Sequence, residues 1–148
     1  KYGGVTQWHD DLQRMAVERR VITLPSGREY AFPDARWTKY GTATHRTSIC
    51  NYPVQGFATA DLLPIALVAL EKVVRDSGIR SVICNTVHDS IVMDVHPDEK
   101  NICIDMMKHA MLSLPFETVR RYGVTYNMPV GIEIKAGKNW LDLHEVEL

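Results

Sequence analysis

A chain of 148 residues with 45% hydrophobic and 24% charged side chains has the composition of one ordinary globular domain with a real core. A net charge of −1 does not announce nucleic acid, no apolar run is long enough to span a bilayer, and there is no secretory signal pattern. Three cysteines (Cys50, Cys84 and Cys103) are odd in number and widely spaced, so they give neither a disulfide framework nor metal-ligand spacing, and a reducing cytoplasm is the expected setting. The first residue is Lys, as in an excerpt from a longer sequence. Charge is uneven along the chain: residues 1–50 carry 8 Lys and Arg against 5 Asp and Glu, while residues 51–100 carry 4 against 7. A mild basic lead of this kind is compatible with phosphate contacts and equally with a solvated surface.

Val5, Trp8, Leu12, Met15 and Ala16 recur at three- and four-residue spacing, which predicts an amphipathic helix over 4–20. Pro25-Ser26-Gly27 is a turn signal between two strand-like runs, so a hairpin is expected at about 21–24 and 28–32. A polar, irregular link over 33–43 follows. From Pro53 to about Ser77, the series Leu63, Ala66, Leu67, Leu70, Val73 and Val74 marks one buried helix face. Gly78 should stop that helix, and Pro64, which lacks a backbone donor, should kink or split it. Strands near 80–87 and 90–95 then flank His88-Asp89. Both look apolar on both faces, which predicts a ribbon in the middle of a sheet. A helix follows from Pro97, with Asp98 and Glu99 at the positive end of its dipole and an apolar stripe of Ile102, Met106, Met107, Ala110 and Leu114. A last strand is expected at about 129–136. Helices packed on one side of a small antiparallel sheet make an α+β fold.

Two constellations carry chemistry. Asp89 stands at the tip of an apolar ribbon, where a carboxylate escapes the desolvation that would disfavour its charge. Such a tip is rigid enough for a metal ligand, and His88 beside it can donate a hydrogen bond or a proton. The competing reading is a polar turn pair with no role. Asn51 and Gln55 are four residues apart and share a helix face, with Arg46 about one turn earlier. Gly56 would let another backbone come close. Donors on such a face suit the minor groove, where every base pair presents purine N3 or pyrimidine O2 acceptors. The competing reading makes Asn51 a helix cap and Gln55 a solvated side chain.

"NYPVQGFATADLL" followed by "TVHDSIVMDV" resembles the C-terminal end of family A DNA polymerases, the bacterial DNA polymerase I and phage replicase group. Asn51, Pro53, Gln55, Gly56, Ala60 and Asp61 correspond to the family pattern N-x-P-x-Q-G-x-x-A-D, and Val87, His88 and Asp89 to its V-H-D-E tip. "KYGGVTQW" is similar to the segment after the family's nucleotide-binding helix, "ITLPSGREYAFPD" to its T-L-x-G-R-R-x-x-x-P-D stretch, and "GKNWLDLH" to its G-x-N-W-x-x-x-H ending.

The resemblance implies DNA-templated DNA synthesis in replication, on a small antiparallel palm sheet with a central hairpin at about 80–95. Residues 1–42 would be the end of the fingers, a helix and a hairpin, and residues 43–148 the minor-groove helix and the palm. Asp89 would bind magnesium as one of two carboxylates holding a pair of Mg²⁺ ions. His88 would lie near the primer terminus, Asn51 and Gln55 along the minor groove, and Arg46 and Arg28 would be further DNA contacts. Implied partners are primer-template DNA, deoxynucleoside triphosphates and an N-terminal remainder of the polymerase, in cis or as a separate chain, in the cytoplasm of a bacterial or phage-infected cell and with no membrane.

Three positions depart from the family pattern. Ser90 stands where Glu is usual, Thr47 where Arg is usual, and Pro64 where the helix usually continues. The family's D-Y-S-Q-I-E and R-x-x-x-K-x-x-x-Y-G stretches do not occur in the sequence, so the isolated chain is expected to be inactive. The alternatives are a noncatalytic nucleic-acid-binding remnant, the C-terminal subunit of a split polymerase, or a metal-dependent hydrolase built on His88, Asp89, Asp94 and His96.

Overall fold

The computed structural model describes residues 2–125 and 130–147. They group into two compact units, Lys1–Leu62 and Leu63–Leu148. Among the described residues, helices and three separate two-stranded antiparallel sheets make an α+β fold.

In the first unit, helix α1 (Gly3–Arg19) ends on Arg20 in the left-handed conformation. Leu12 and Ala16 are buried as the spacing predicts, whereas Val5 and Trp8, earlier on the same stripe, are exposed. Gln13 is buried beside them. Its carboxamide accepts the Ala43 backbone N–H at 3.0 Å and donates to His9 O at 3.2 Å. This polar side chain thereby orders the expected irregular link, which also carries a Trp37–Ala43 bridge. Strands β1 (Val21–Thr23) and β2 (Glu29–Ala31) form the expected hairpin, with Ile22 opposite Tyr30. Gly27, at φ +84°, makes the turn. Ile22 and Phe32 join Leu12, Ala16, Ala35, Ala43 and Ile49 in one core.

Helix α2 runs Arg46–Gly56, beginning seven residues before the expected start at Pro53. Pro53 is inside it and buried. Its apolar positions give no periodic signal at this end, so the start was not legible. Phe57–Leu62 is π-helical. The family pattern has two residues between its Gly and Ala, whereas three separate Gly56 from Ala60. A π turn is the way a helix absorbs one extra residue. Pro64 follows directly and removes the N–H that an α-helix would aim at Ala60 O. The expected split therefore occurs just ahead of Pro64.

The second unit opens with α3 (Leu63–Ser77), which Gly78 stops at φ +67°. Leu63, Ala66 and Leu70 are buried, as is Ile65, which the expected stripe omitted, while Val73 is exposed. Strands β3 (Val82–Val87) and β4 (Ser90–Asp94) form the expected ribbon, with a bulge between Ile83 and Asn85. Among the described residues β3 and β4 pair only with each other, and Val82 and Val87 are exposed. Apolar composition on both faces marks surface that could be covered, and does not by itself supply the neighbouring strands.

A 3₁₀ turn (Pro97–Glu99) leads into α4 (Lys100–Leu112). Ala110 and Leu114 are buried as expected and Ile102 is exposed, with Cys103 buried in its place. Helix α5 (Leu114–Tyr122), which was not among the expected elements, starts with Pro115 in its first turn and closes on Gly123 at φ +67°. Thr118 is fully buried, its hydroxyl donating to Leu114 O and Pro115 O. Of the expected last strand only β5 (Lys135–Ala136) is strand, paired with β6 (His144–Glu145). The start of that expectation, at Pro129, lies outside the described residues. A Cβ on Gly137 would lie 1.6 Å from Asp142 O, so only Gly allows this close chain return.

Candidate nucleic-acid and metal sites

The first candidate site is the turn of the β3–β4 ribbon. Val87 pairs with Ser90, leaving a two-residue loop of His88 and Asp89. His88 takes φ +55°, the sign that tight hairpin loops require at their first position. No Gly is present, and His is among the non-Gly residues that tolerate this region best. The Ser90 hydroxyl donates to Val87 O at 2.8 Å and so braces the turn. Both His88 and Asp89 are exposed, and no hydrogen bond engages the Asp89 carboxylate among the described residues.

The far end of the ribbon is fastened by a residue that the sequence reading placed only at a helix start. Glu99 accepts the backbone N–H of Arg80 at 3.0 Å, the backbone N–H of Ser81 at 2.9 Å and the Ser81 hydroxyl at 2.7 Å. Arg80 Nε adds a contact at 3.4 Å. The buried Ser81 oxygen also accepts the His96 N–H at 2.9 Å, which ties the start of β3 to the chain leaving β4. These donors, led by the Ser81 hydroxyl, hold the Glu99 carboxyl down at about 2, below its ordinary 4.5.

The ribbon register also disposes of the hydrolase alternative. Val82 pairs with Asp94, so Asp94 and His96 stand at the opposite end of the ribbon from His88 and Asp89. His96 Nδ1 accepts the Asp98 N–H at 3.3 Å as a helix-capping contact. No cluster of three or more potential metal ligands occurs among the described residues. Asp89 can thus contribute one exposed oxygen donor set to a hard divalent ion, as magnesium sites accept, with further ligands from elsewhere.

The second candidate site belongs to the first unit. Asn51 and Gln55 lie on one exposed face of α2, and Asn51 Nδ2 donates to Gln55 Oε1 at 2.9 Å. Asn51 is well inside the helix and is not its cap, so the capping alternative fails. Arg46 is exposed in the first turn of α2. A cleft of about 270 Å³ beside this face is lined by Tyr30, Tyr52, Gln55, Gly56, Thr59 and Ala60. A Cβ on Gly56 would lie 1.7 Å from Tyr30 Oη. Gly56 does permit a close approach, but of a phenol and not of a backbone. Tyr30 and Phe32 pack against Tyr52 at ring separations of 5.5 and 6.2 Å.

Arg28, expected as a DNA contact, is engaged within the first unit. Its Nε donates to Asp61 Oδ1 at 2.9 Å, and its Nη2 lies 2.9 Å from the same oxygen and 3.4 Å from Ala60 O. Ser26 Oγ donates to Asp61 Oδ2 at 2.6 Å. Asp61 is buried, while the Arg28 side chain remains 43% exposed. Sequence reasoning gave Asp61 no role. The available signal was a carboxylate set among apolar helix residues, which needs a partner when buried.

A family model described as DNA polymerase family A matches residues 1–142. The DNA polymerase of Bacillus phage SP01 is 28% identical over 149 aligned residues, covering 100% of this chain and 16% of that polymerase. DNA polymerase I of Lactococcus lactis subsp. cremoris is 26% identical, covering 96% of this chain and 15% of its own length. The chain therefore spans about a sixth of these relatives. The polymerase domain of Pol1 from M. smegmatis, solved in complex with DNA primer-template and dNTP, superposes with a TM-score of 0.67 at 24% identity, over 77% of this chain and 20% of that one. No helix among the described residues is long and apolar enough to cross a membrane.

Proposed function

Because this chain belongs to DNA polymerase family A, we propose that it is the C-terminal portion of a DNA-directed DNA polymerase and carries part of its catalytic and DNA-binding surface. The observation that carries the reading is the Asp89 carboxylate, exposed at the turn of a ribbon whose other end is fixed by Glu99. Asp89 would hold Mg²⁺, which when bound supplies charge stabilisation at a primer 3′-hydroxyl and at the leaving pyrophosphate. His88 would stand beside the primer terminus and orient it through its imidazole. Asn51 and Gln55 would face the minor groove of the primer-template, where shared acceptors let them test base-pair shape without reading sequence. Their mutual hydrogen bond fixes the two amides before DNA arrives. Arg46 and the exposed part of Arg28 would add contacts to the DNA backbone. Incoming deoxynucleoside triphosphates and the remaining metal ligands would be held by an N-terminal remainder, in cis or as a separate chain.

The test is template-directed primer extension with Mg²⁺ by the complete polypeptide or by the reassembled pieces. The expected result is extension that needs the 148 residues and their N-terminal remainder together, with neither piece active alone. Primer-template binding without extension by the complete assembly would favour a noncatalytic binding module.

A further inference from the structure

The β1–β2 hairpin is fastened to the helical stretch around Gln55 at two points. At its turn, Ser26 and Arg28 close on the buried Asp61, with Arg28 Nη2 also at Ala60 O. On strand β2, Tyr30 fills the space that Gly56 leaves open. Tyr30, Gln55, Gly56 and Ala60 all line one cleft, so the hairpin is one wall of the cleft and the Gln55 segment is the other. The π turn starts directly after Gly56, one fastening point, and contains Ala60 and Asp61, the other. Thr59 in that turn donates to the Gln55 backbone carbonyl at 2.7 Å, which ties the turn to the residue that carries the carboxamide. A buried carboxylate with its partners removed is costly, so Ser26 and Arg28 are held against Asp61.

We propose that Asp61, acting through Ser26 and Arg28, is a positioning residue for the Gln55 carboxamide: it pins the hairpin to the π turn and so fixes the cleft wall against which Gln55 meets the minor groove. The role rests on the assignment of Gln55 to the minor groove given above.

The test uses the complete polymerase and a primer whose 3′-terminal guanine carries either N3 or the 3-deaza replacement, which removes one minor-groove acceptor. Single-turnover incorporation is measured for wild type, Gln55→Ala, Asp61→Asn and Ser26→Ala. With natural primer, Asp61→Asn is expected to slow incorporation by up to about tenfold, the scale of one hydrogen bond. With 3-deaza primer that penalty should shrink towards unity, in parallel with Gln55→Ala. An equal penalty on both primers from Asp61→Asn, with Gln55→Ala still sensitive to the replacement, would overturn the positioning role and leave the Gln55 assignment standing. A Gln55→Ala penalty that is the same on both primers would overturn the Gln55 assignment and the positioning role with it. If Asp61→Asn does not fold, Ser26→Ala carries the same comparison, because it removes one donor and leaves the Arg28 pair in place.

Discussion

Two hairpins of this chain, β1–β2 and β3–β4, are held in opposite ways. The β1–β2 hairpin is fixed at its turn, where Ser26 and Arg28 meet Asp61, and through Ile22, which lies in the core. The β3–β4 ribbon is fixed at its open end, where Glu99 gathers the N–H groups and hydroxyl of Arg80 and Ser81, and His88 and Asp89 at its turn are exposed among the described residues. Both anchors are carboxylates that satisfy a chain start or a turn. What differs is which end remains available. A turn that is latched down can shape its surroundings, whereas a turn whose base is clamped can present a charged group to solvent without losing its geometry.

This contrast makes graded predictions. The largest effect separates the two interiors. Ile22→Ala should destabilise the first hairpin by about 2–5 kcal/mol, as a large-to-small change in a packed core does. Ile91→Ala in the half-buried ribbon should cost about 1 kcal/mol. Native-state hydrogen exchange of the β1 and β3 amides measures both. Equal costs would mean that the ribbon is packed as tightly as the core hairpin. A smaller effect is expected at the clamp: Ser81→Ala removes the hydroxyl shared by Glu99 and His96 and should weaken protection of β3 and β4 by about 1–3 kcal/mol, with the β1 amides unchanged.

The smallest effect is a pH dependence confined to one hairpin. The Glu99 carboxyl sits at about 2 in the folded chain against an ordinary 4.5. A depressed folded value means that its stabilisation is fully present above about 4.5 and is lost as pH falls towards 2. Protection of β3 should decline over that window. In Glu99→Gln it should start lower at neutral pH and lack this decline. A Glu99→Gln protein with the wild-type acid profile would show that other carboxylates govern opening of the ribbon.

The parts of the fold written in local signals were legible in the sequence. Turn residues at 25–27, Gly78 after α3, and the Val- and Ile-rich runs around His88-Asp89 each act over a few positions. Helix α5 is not set apart in the sequence although it is amphipathic, because it is only nine residues long and follows α4 after a single residue, Ser113. The pairing of β3 and β4 only with each other among the described residues was not legible either, because apolar strands look the same whether or not neighbours cover them. At the candidate sites, type and spacing left the exposed residues Asp89, Asn51 and Gln55 with two readings each, and it was the resemblance to family A polymerases that favoured a functional one. Their supports were not legible. Asp61 meets its partners across more than thirty residues and Glu99 across nearly twenty, and only folding brings these pairs together.

The account rests most heavily on the exposed turn of the clamped ribbon, and single-turnover nucleotide incorporation by Asp89→Ala in the complete polymerase tests it most directly. With primer-template affinity measured alongside, incorporation should fall by at least about a hundredfold, or about 2.7 kcal/mol in the barrier, while DNA binding stays near wild type. Incorporation by Asp89→Ala within about tenfold of wild type, a change of only about 1.4 kcal/mol, would contradict the assignment of that carboxylate to the chemistry.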